Sequence, residues 1–253
     1  MINIISQYFI SNDPKRQIEI DLCFNNNLNN KYVDKIYFLY EKEEEKEYFK
    51  NKTNNNKLVL YPLNKRITYK DVLKFANKFL ENKICVYLHA DMHVTDDFGK
   101  LDYLDKDKMY PLVSHHHSNC NKKIKCDCTR QFNTEKGIYG VTFDGFIFLP
   151  KIQEEIYNNL NFEVNHMGAE NKFIYEFKKQ SYDVVCPNKD IRAIHRHDVQ
   201  FHNRKDWISI DNTFKPLEYY SNIHKKQKKK KYEDKIVGGG IPFYLGSAKF
   251  IEF

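Results

Sequence analysis

No apolar run in these 253 residues approaches the ~20 that a membrane span needs, so no transmembrane helix is expected. The start, Met1-Ile2-Asn3-Ile4-Ile5-Ser6, has no basic n-region and no small-residue cleavage site, which argues against a secretion signal. A Gly-Lys-Ser/Thr phosphate loop, a Gly-x-Gly-x-x-Gly turn and a Gly-x-Ser-x-Gly elbow are all missing. Their absence removes common NTPases, the usual dinucleotide enzymes and typical α/β-hydrolases. There is no internal repeat. The six cysteines, without a secretion signal, read as reduced thiols and point to a cytoplasmic location.

What is present suits a folded domain: 41% apolar residues, 15% aromatics and 30% charged residues. The formal net charge of +7 is concentrated, because six lysines fall in Lys225 to Lys231 and the remainder is near +1 (7 − 6). A nucleic-acid groove is therefore not indicated. The asparagine runs at 25–30 and 51–56 look like compositional bias and are not taken as motifs.

Strand and helix patterns alternate over the first hundred residues. Ile2 to Ile10 is β-rich, and Asp13-Pro14 is a natural helix start for the period running from Arg16 to Leu28. Val33 to Tyr40 reads as a strand, Glu41 to Lys50 as a charged surface segment, and Leu58 to Tyr61 as a third strand. Tyr69 to Asn82 is an amphipathic helix that delivers the chain into a buried strand, Ile84 to Leu88. This alternation predicts right-handed βαβ crossovers and a parallel sheet. Further strands are expected at 109–113, 140–149, 184–186 and 191–194, with helices at 151–160 and 168–180. The domain is expected to span 1–207, followed by an extension, 208–253, that carries the lysine run.

At the carboxyl end of Ile84 to Leu88 the character flips: His89, Asp91, His93, Asp96 and Asp97 crowd into nine positions. Ligands of open α/β sheets sit outside such strand ends. Asp91 reads as functional, while Asp96 and Asp97 suit the capping of the next helix. His195 and His197 lie two apart on a strand pattern and share a face, so they can complete a metal site opened by Asp91 and His93 or stand on a surface strand. Glu170, in the first turn of a helix after Gly168, is either ordinary dipole chemistry or a base for an acceptor hydroxyl. Asp144 interrupts an aromatic strand before Gly145, which calls for a bulge, a turn or a pocket-facing acid. The His115 to His117 run with Cys120, Cys126 and Cys128 offers zinc ligands without the usual paired spacing, and a reduced-thiol loop explains it equally.

Taken in order, these pieces resemble small GT-A-type glycosyltransferases, of the kind encoded by large DNA viruses and some bacteria. The resemblance runs over about residues 2–207. It rests on Ile5-Ser6-Gln7-Tyr8, Arg16 to Glu19, Ile36 to Glu41 and His89-Ala90-Asp91-Met92, which is similar to that group's Asn-x-Asp-Ile. It continues through Thr129-Arg130, Phe143-Asp144-Gly145-Phe146, Gly168-Ala169-Glu170-Asn171 and His195-Arg196-His197.

The resemblance implies a Rossmann-like α/β fold with a mixed, mostly parallel central sheet flanked by helices. It implies a nucleotide-sugar donor, UDP- or GDP-linked, held by Ser6, Gln7, Tyr8, Arg16, His89 and Arg130. It also implies Mn²⁺ or Mg²⁺ on Asp91, with His93 as ligand or bystander and His195 and His197 as late metal or phosphate ligands. Glu170 or Asp144 would orient or deprotonate a hydroxyl on a glycan or protein acceptor. Asp-Met-His stands where the group often has Asp-x-Asp, and a binding protein that has lost catalysis is the rival reading. A nucleic-acid-associated protein using the lysine run is the weaker one.

Overall fold

The structure is a computed structural model. It describes residues 1–101, 104–116, 143–164, 169–187 and 190–196, together with short strands past residue 216. In chain order the first half gives β1 (Ile2–Ser6), α1 (Pro14–Asn29), β2 (Val33–Tyr40), α2 (Glu43–Lys52), β3 (Leu58–Pro62), α3 (Tyr69–Phe79), β4 (Ile84–Leu88) and β5 (Met92–Val94). After a 3₁₀ turn at Asp96–Lys100 come β6 (Lys108–His116), β7 (Phe143–Phe148), α4 (Glu154–Asn158), α5 (Ala169–Lys179), β8 (Asp183–Cys186) and β9 (Ala193–His195).

Seven strands make a central sheet in the order β8-β6-β7-β4-β1-β2-β3. The strands β1, β2, β3 and β4 are mutually parallel, as the alternating pattern predicts. β7 runs antiparallel between β4 and β6, which makes the sheet mixed and mostly parallel, as the resemblance implies. Two short strands, Leu217–Tyr219 and Lys230–Tyr232, add to the sheet beyond β8. Lys235–Ile236 and Tyr244–Leu245 pair antiparallel as a separate two-stranded sheet, and the other residues of the 208–253 extension lie outside the described residues.

Strand alternation divides the core between the two faces of the sheet. Ile2, Ile4, Val86, Leu88 and Ile147 pack against α1 and α2 through Ile20, Phe24 and Phe49. Ile5, Cys85, Tyr87, Phe146 and Phe148 pack against α3, α4 and α5 through Val72, Leu73, Ile156 and Phe173. The segment read as charged surface is the helix α2. Its Glu45 side chain accepts from the backbone of Glu41 and Lys42, while Phe49 buries the inner face. Asp13 caps α1 as expected, accepting from Lys15 N at 2.8 Å with Pro14 in the first turn.

Candidate functional site

β1 has β2 on one side and β4 on the other, so successive crossovers leave it in opposite directions. That reversal opens a crevice at the carboxyl ends of β1 and β4, where open α/β sheets bind ligands. Ser6 ties the two strand ends together: its hydroxyl donates to Leu88 O at 2.8 Å and is buried. The chain leaves β4 through His89, Ala90 and Asp91 and then enters β5. β5 pairs antiparallel with β9, and β9 pairs with β6.

α1 clamps this assembly. Asn27 imitates a strand edge, its Nδ2 donating to Met92 O and its Oδ1 accepting from Val94 N, both at 2.9 Å. In the first turn of α1, Arg16 reaches Asp91 Oδ2 with Nη2. Its Nη1 donates to Glu19 Oε2 at 2.7 Å and to Arg196 O at 2.9 Å. His195 Nε2 meets the same Asp91 Oδ2 at 2.9 Å, and its Nδ1 faces Asp144 Oδ2 at 3.5 Å. His89 Nδ1 lies 3.8 Å from Asp144 Oδ1.

Asp144 is aimed by a bulge. Leu112 pairs with Gly145 and Val113 with Phe143, so Asp144 is the extra residue on β7 and leaves the regular ladder. Gly145 permits the close approach of β4, because a Cβ there would lie 2.7 Å from Leu88 Cδ2 and 2.9 Å from Tyr87 O. Of the alternatives in the sequence, the bulge occurs, and it turns Asp144 toward His89 and His195.

Electrostatics follow from this packing. Burial opposes charge on Asp91, but His195 and Arg16 outweigh it and hold its carboxyl well below the usual range. Burial alone would likewise depress His195. The Asp91 charge and hydrogen bond, with Asp144 adding to them, push it up to about 9, so the ring is cationic near neutral pH. Glu170 behaves differently: desolvation in the cleft, with the Asp144 charge beside it, raises its carboxyl well above the usual range. Three buried polar atoms in this neighbourhood have no hydrogen-bond partner among the described residues: His89 Nε2, Arg196 Nε and Tyr69 Oη, the last in a ring within the fields of Glu170 and Asp144. Unsatisfied buried groups are rare and call for an explanation.

The structure thus brings together Arg16, His89, Asp91, Asp144, Glu170 and His195 of the residues singled out in the sequence. His93 is turned away, because the Ala90–Asp91 turn resets the alternation before β5; its Nδ1 lies 3.6 Å from Cys23 Sγ of α1. Tyr8 is packed in the core with its hydroxyl spent on Asp21, so it faces α1 and α2 rather than the crevice. Gln7 is engaged nearby through Oε1, which accepts from Ile67 N at 3.4 Å. Thr95, rather than Asp96 or Asp97, caps the 3₁₀ turn, and Asp97 holds Arg192 at 2.6 Å. Arg130, His197 and the Cys120, Cys126 and Cys128 cluster lie outside the described residues. Glu19 and Arg196 stood only within the motifs of the resemblance and had no site role in the sequence reading. The i, i+3 spacing of Arg16 and Glu19 was the available signal for the first.

The sequence matches no family model and no curated protein. Solved structures of similar shape include a mannosyltransferase of Pyrobaculum calidifontis in complex with GDP-Man and Mn²⁺. The two share 14% identity at a TM-score of 0.48, over 77% of this chain and 56% of that one. A 4-diphosphocytidyl-2C-methyl-D-erythritol synthase of Anaerococcus prevotii gives 13% identity and a TM-score of 0.45, over 72% and 84%. The glycosyltransferase GlyE of Streptococcus pneumoniae gives 15% and 0.40, over 72% and 44%. The chain thus spans little more than half the length of the first of these.

A divalent cation of the Mn²⁺ or Mg²⁺ kind needs several oxygen ligands around it, anionic ones prominent among them. Here Asp91 Oδ2 is already shared by Arg16 and His195. Each unit of positive charge placed ~4 Å from the guanidinium would be repelled by about 4 kcal/mol in a partly buried site. Among the described residues no three His, Cys, Asp or Glu side chains stand close enough to share an ion. The described residues do not fit a divalent ion on Asp91.

Proposed function

We propose that this chain is a nucleotide-sugar-dependent glycosyltransferase with a GT-A-type fold, moving a sugar from a UDP- or GDP-sugar to a hydroxyl on a glycan or protein. One observation carries the reading: two cations, Arg16 and His195, converge on one carboxylate at the crevice between β1 and β4, beside buried donors that lack acceptors. A diphosphate supplies the acceptors that such a cluster lacks.

In this reading Arg16 and His195 face the diphosphate and offset the charge that grows on it as its bond to the sugar breaks. The proton on His195 stays in place below pH about 9, so the charge is available throughout the neutral range. Asp144 accepts the proton of the acceptor hydroxyl as the new bond to the sugar carbon forms. Its placement by the bulge brings it within reach of the cation pair without joining their hydrogen bonds to Asp91. Glu170, beside the Asp144 charge, orients the acceptor hydroxyl through a hydrogen bond. Ser6 keeps the two strand ends in register beneath the nucleotide.

The test is a panel of UDP- and GDP-sugars with simple sugar acceptors, following release of the nucleoside diphosphate. Turnover with one donor that is lost in Asp144→Asn supports the reading. No turnover with any donor, joined to no binding of UDP or GDP, overturns it.

A further inference from the structure

Resting on that transferase reading, we infer that the positive charge facing the donor's diphosphate belongs to the protein itself, in Arg16 and His195, and that donor binding needs no divalent metal ion. The carboxylate expected to hold a metal, Asp91, lends Oδ2 to both of these cations at once. Neither is free to swing aside. Arg16 is rooted in the first turn of α1 and is also bound to Glu19 Oε2 and to Arg196 O. His195 ends β9, which is paired with β5 on one side and β6 on the other, and its second ring nitrogen faces Asp144.

A metal seated on Asp91 would have to displace the Arg16 guanidinium and the His195 ring from Oδ2. A diphosphate asks for the reverse arrangement, a forked guanidinium and an imidazolium already in place. Three of the five N–H hydrogens of Arg16 are engaged with described residues, which leaves Nε and one Nη2 hydrogen for an incoming anion. Arg196 Nε, buried and without an acceptor, adds a further donor from the residue beside His195. Asp91 then acts as a placeholder that fixes the two cations while no ligand is bound, rather than as a ligand to a metal.

Calorimetric titration of UDP and of GDP into the full chain, once in EDTA and once in Mn²⁺, reads this directly. One nucleotide is expected to bind in EDTA with a Kd within about twofold of its value in Mn²⁺. Arg16→Ala is expected to weaken that binding about tenfold or more, with Arg16→Lys falling between, because lysine keeps the charge but not the fork. Asp91→Asn keeps the shape of the placeholder and removes its charge, so it is expected to bind the nucleotide more tightly. Mn²⁺ alone, followed by the electron paramagnetic resonance of the free ion, is expected to show no loss of signal when the protein is added. Binding that appears only with Mn²⁺, or a stoichiometric loss of the Mn²⁺ signal that Asp91→Asn restores, overturns the inference and leaves the transferase reading standing. No binding of either nucleotide in either buffer overturns the transferase reading, and this inference with it.

Discussion

Two charge clusters meet at α1, one around Asp21, which the helix carries, and one around Asp91, which reaches it from the turn after β4. Around Asp21, Gln17 Nε2 donates to Oδ1 at 2.9 Å and Tyr8 donates its hydroxyl there too. Tyr48 Oη donates to Oδ2 at 2.7 Å, and Lys52 pairs with the same oxygen. Every member comes from α1, α2 or the loop that follows β1, and none has a buried polar atom without a partner among the described residues. Around Asp91 the cations come from residues far apart in sequence, and Arg196 Nε and His89 Nε2 nearby lack acceptors. A charge cluster by itself therefore does not mark a site. Position at the sheet's switch point, together with unspent hydrogen-bonding capacity, separates the second cluster from the first.

The largest effect that sharpens this contrast is on turnover. Asp144→Asn is expected to lower kcat by about 10²- to 10⁴-fold, the usual worth of general base catalysis, whereas Asp21→Asn leaves it within about twofold. Steady-state rates on the preferred donor check both.

Next comes the pH dependence of stability. His195 gains its cationic form in the fold, so its contribution is fully present below its unfolded value of about 6.5. That contribution is lost as pH rises through about 9. The loss is on the order of 3 kcal/mol, and it should vanish from the difference curve of His195→Gln in urea unfolding between pH 6 and 10.

Asp21→Ala should cost about 2 kcal/mol of stability at neutral pH, since it strips a partner from two tyrosines, a glutamine and a lysine in a half-buried brace. Thermal melting reads that change, and an equal loss of nucleotide affinity would break the distinction between brace and site. The smallest effect expected is a gain. Burial raises the Glu170 carboxyl, so its cost to stability appears above the ordinary glutamate range near 4.3 and grows with pH until the folded state ionises too. Glu170→Gln should therefore melt higher than the wild type at pH 7 and equal it near pH 4.

The sheet's first half was legible because its signals are local. The apolar run Val33–Tyr40, the Asp13-Pro14 start of α1 and the amphipathic period of α3 each determine an element from a dozen residues or fewer. The direction of β7 was not legible. A strand buried on both faces is a continuous apolar run whichever way it points, and its direction depends on the path the chain takes to reach it. At the site, Asp91, His195 and Asp144 were readable as carboxylate and imidazole groups at strand ends or out of place in a strand. What the sequence did not contain was the pairing of Arg16 with Asp91, 75 residues away, which makes the carboxylate a partner of cations. The reversal of His93 likewise depends on a two-residue turn that breaks strand alternation, and no pattern of residue types announces it.

The most direct test of the account is a crystal structure of the chain grown with UDP or GDP in the presence of EDTA. The diphosphate is expected at the carboxyl ends of β1 and β4, within hydrogen-bonding distance of Arg16 and His195. A nucleotide found elsewhere on the chain, or a crevice that stays closed by the Arg16, Asp91 and His195 pairing with saturating nucleotide present, would contradict it.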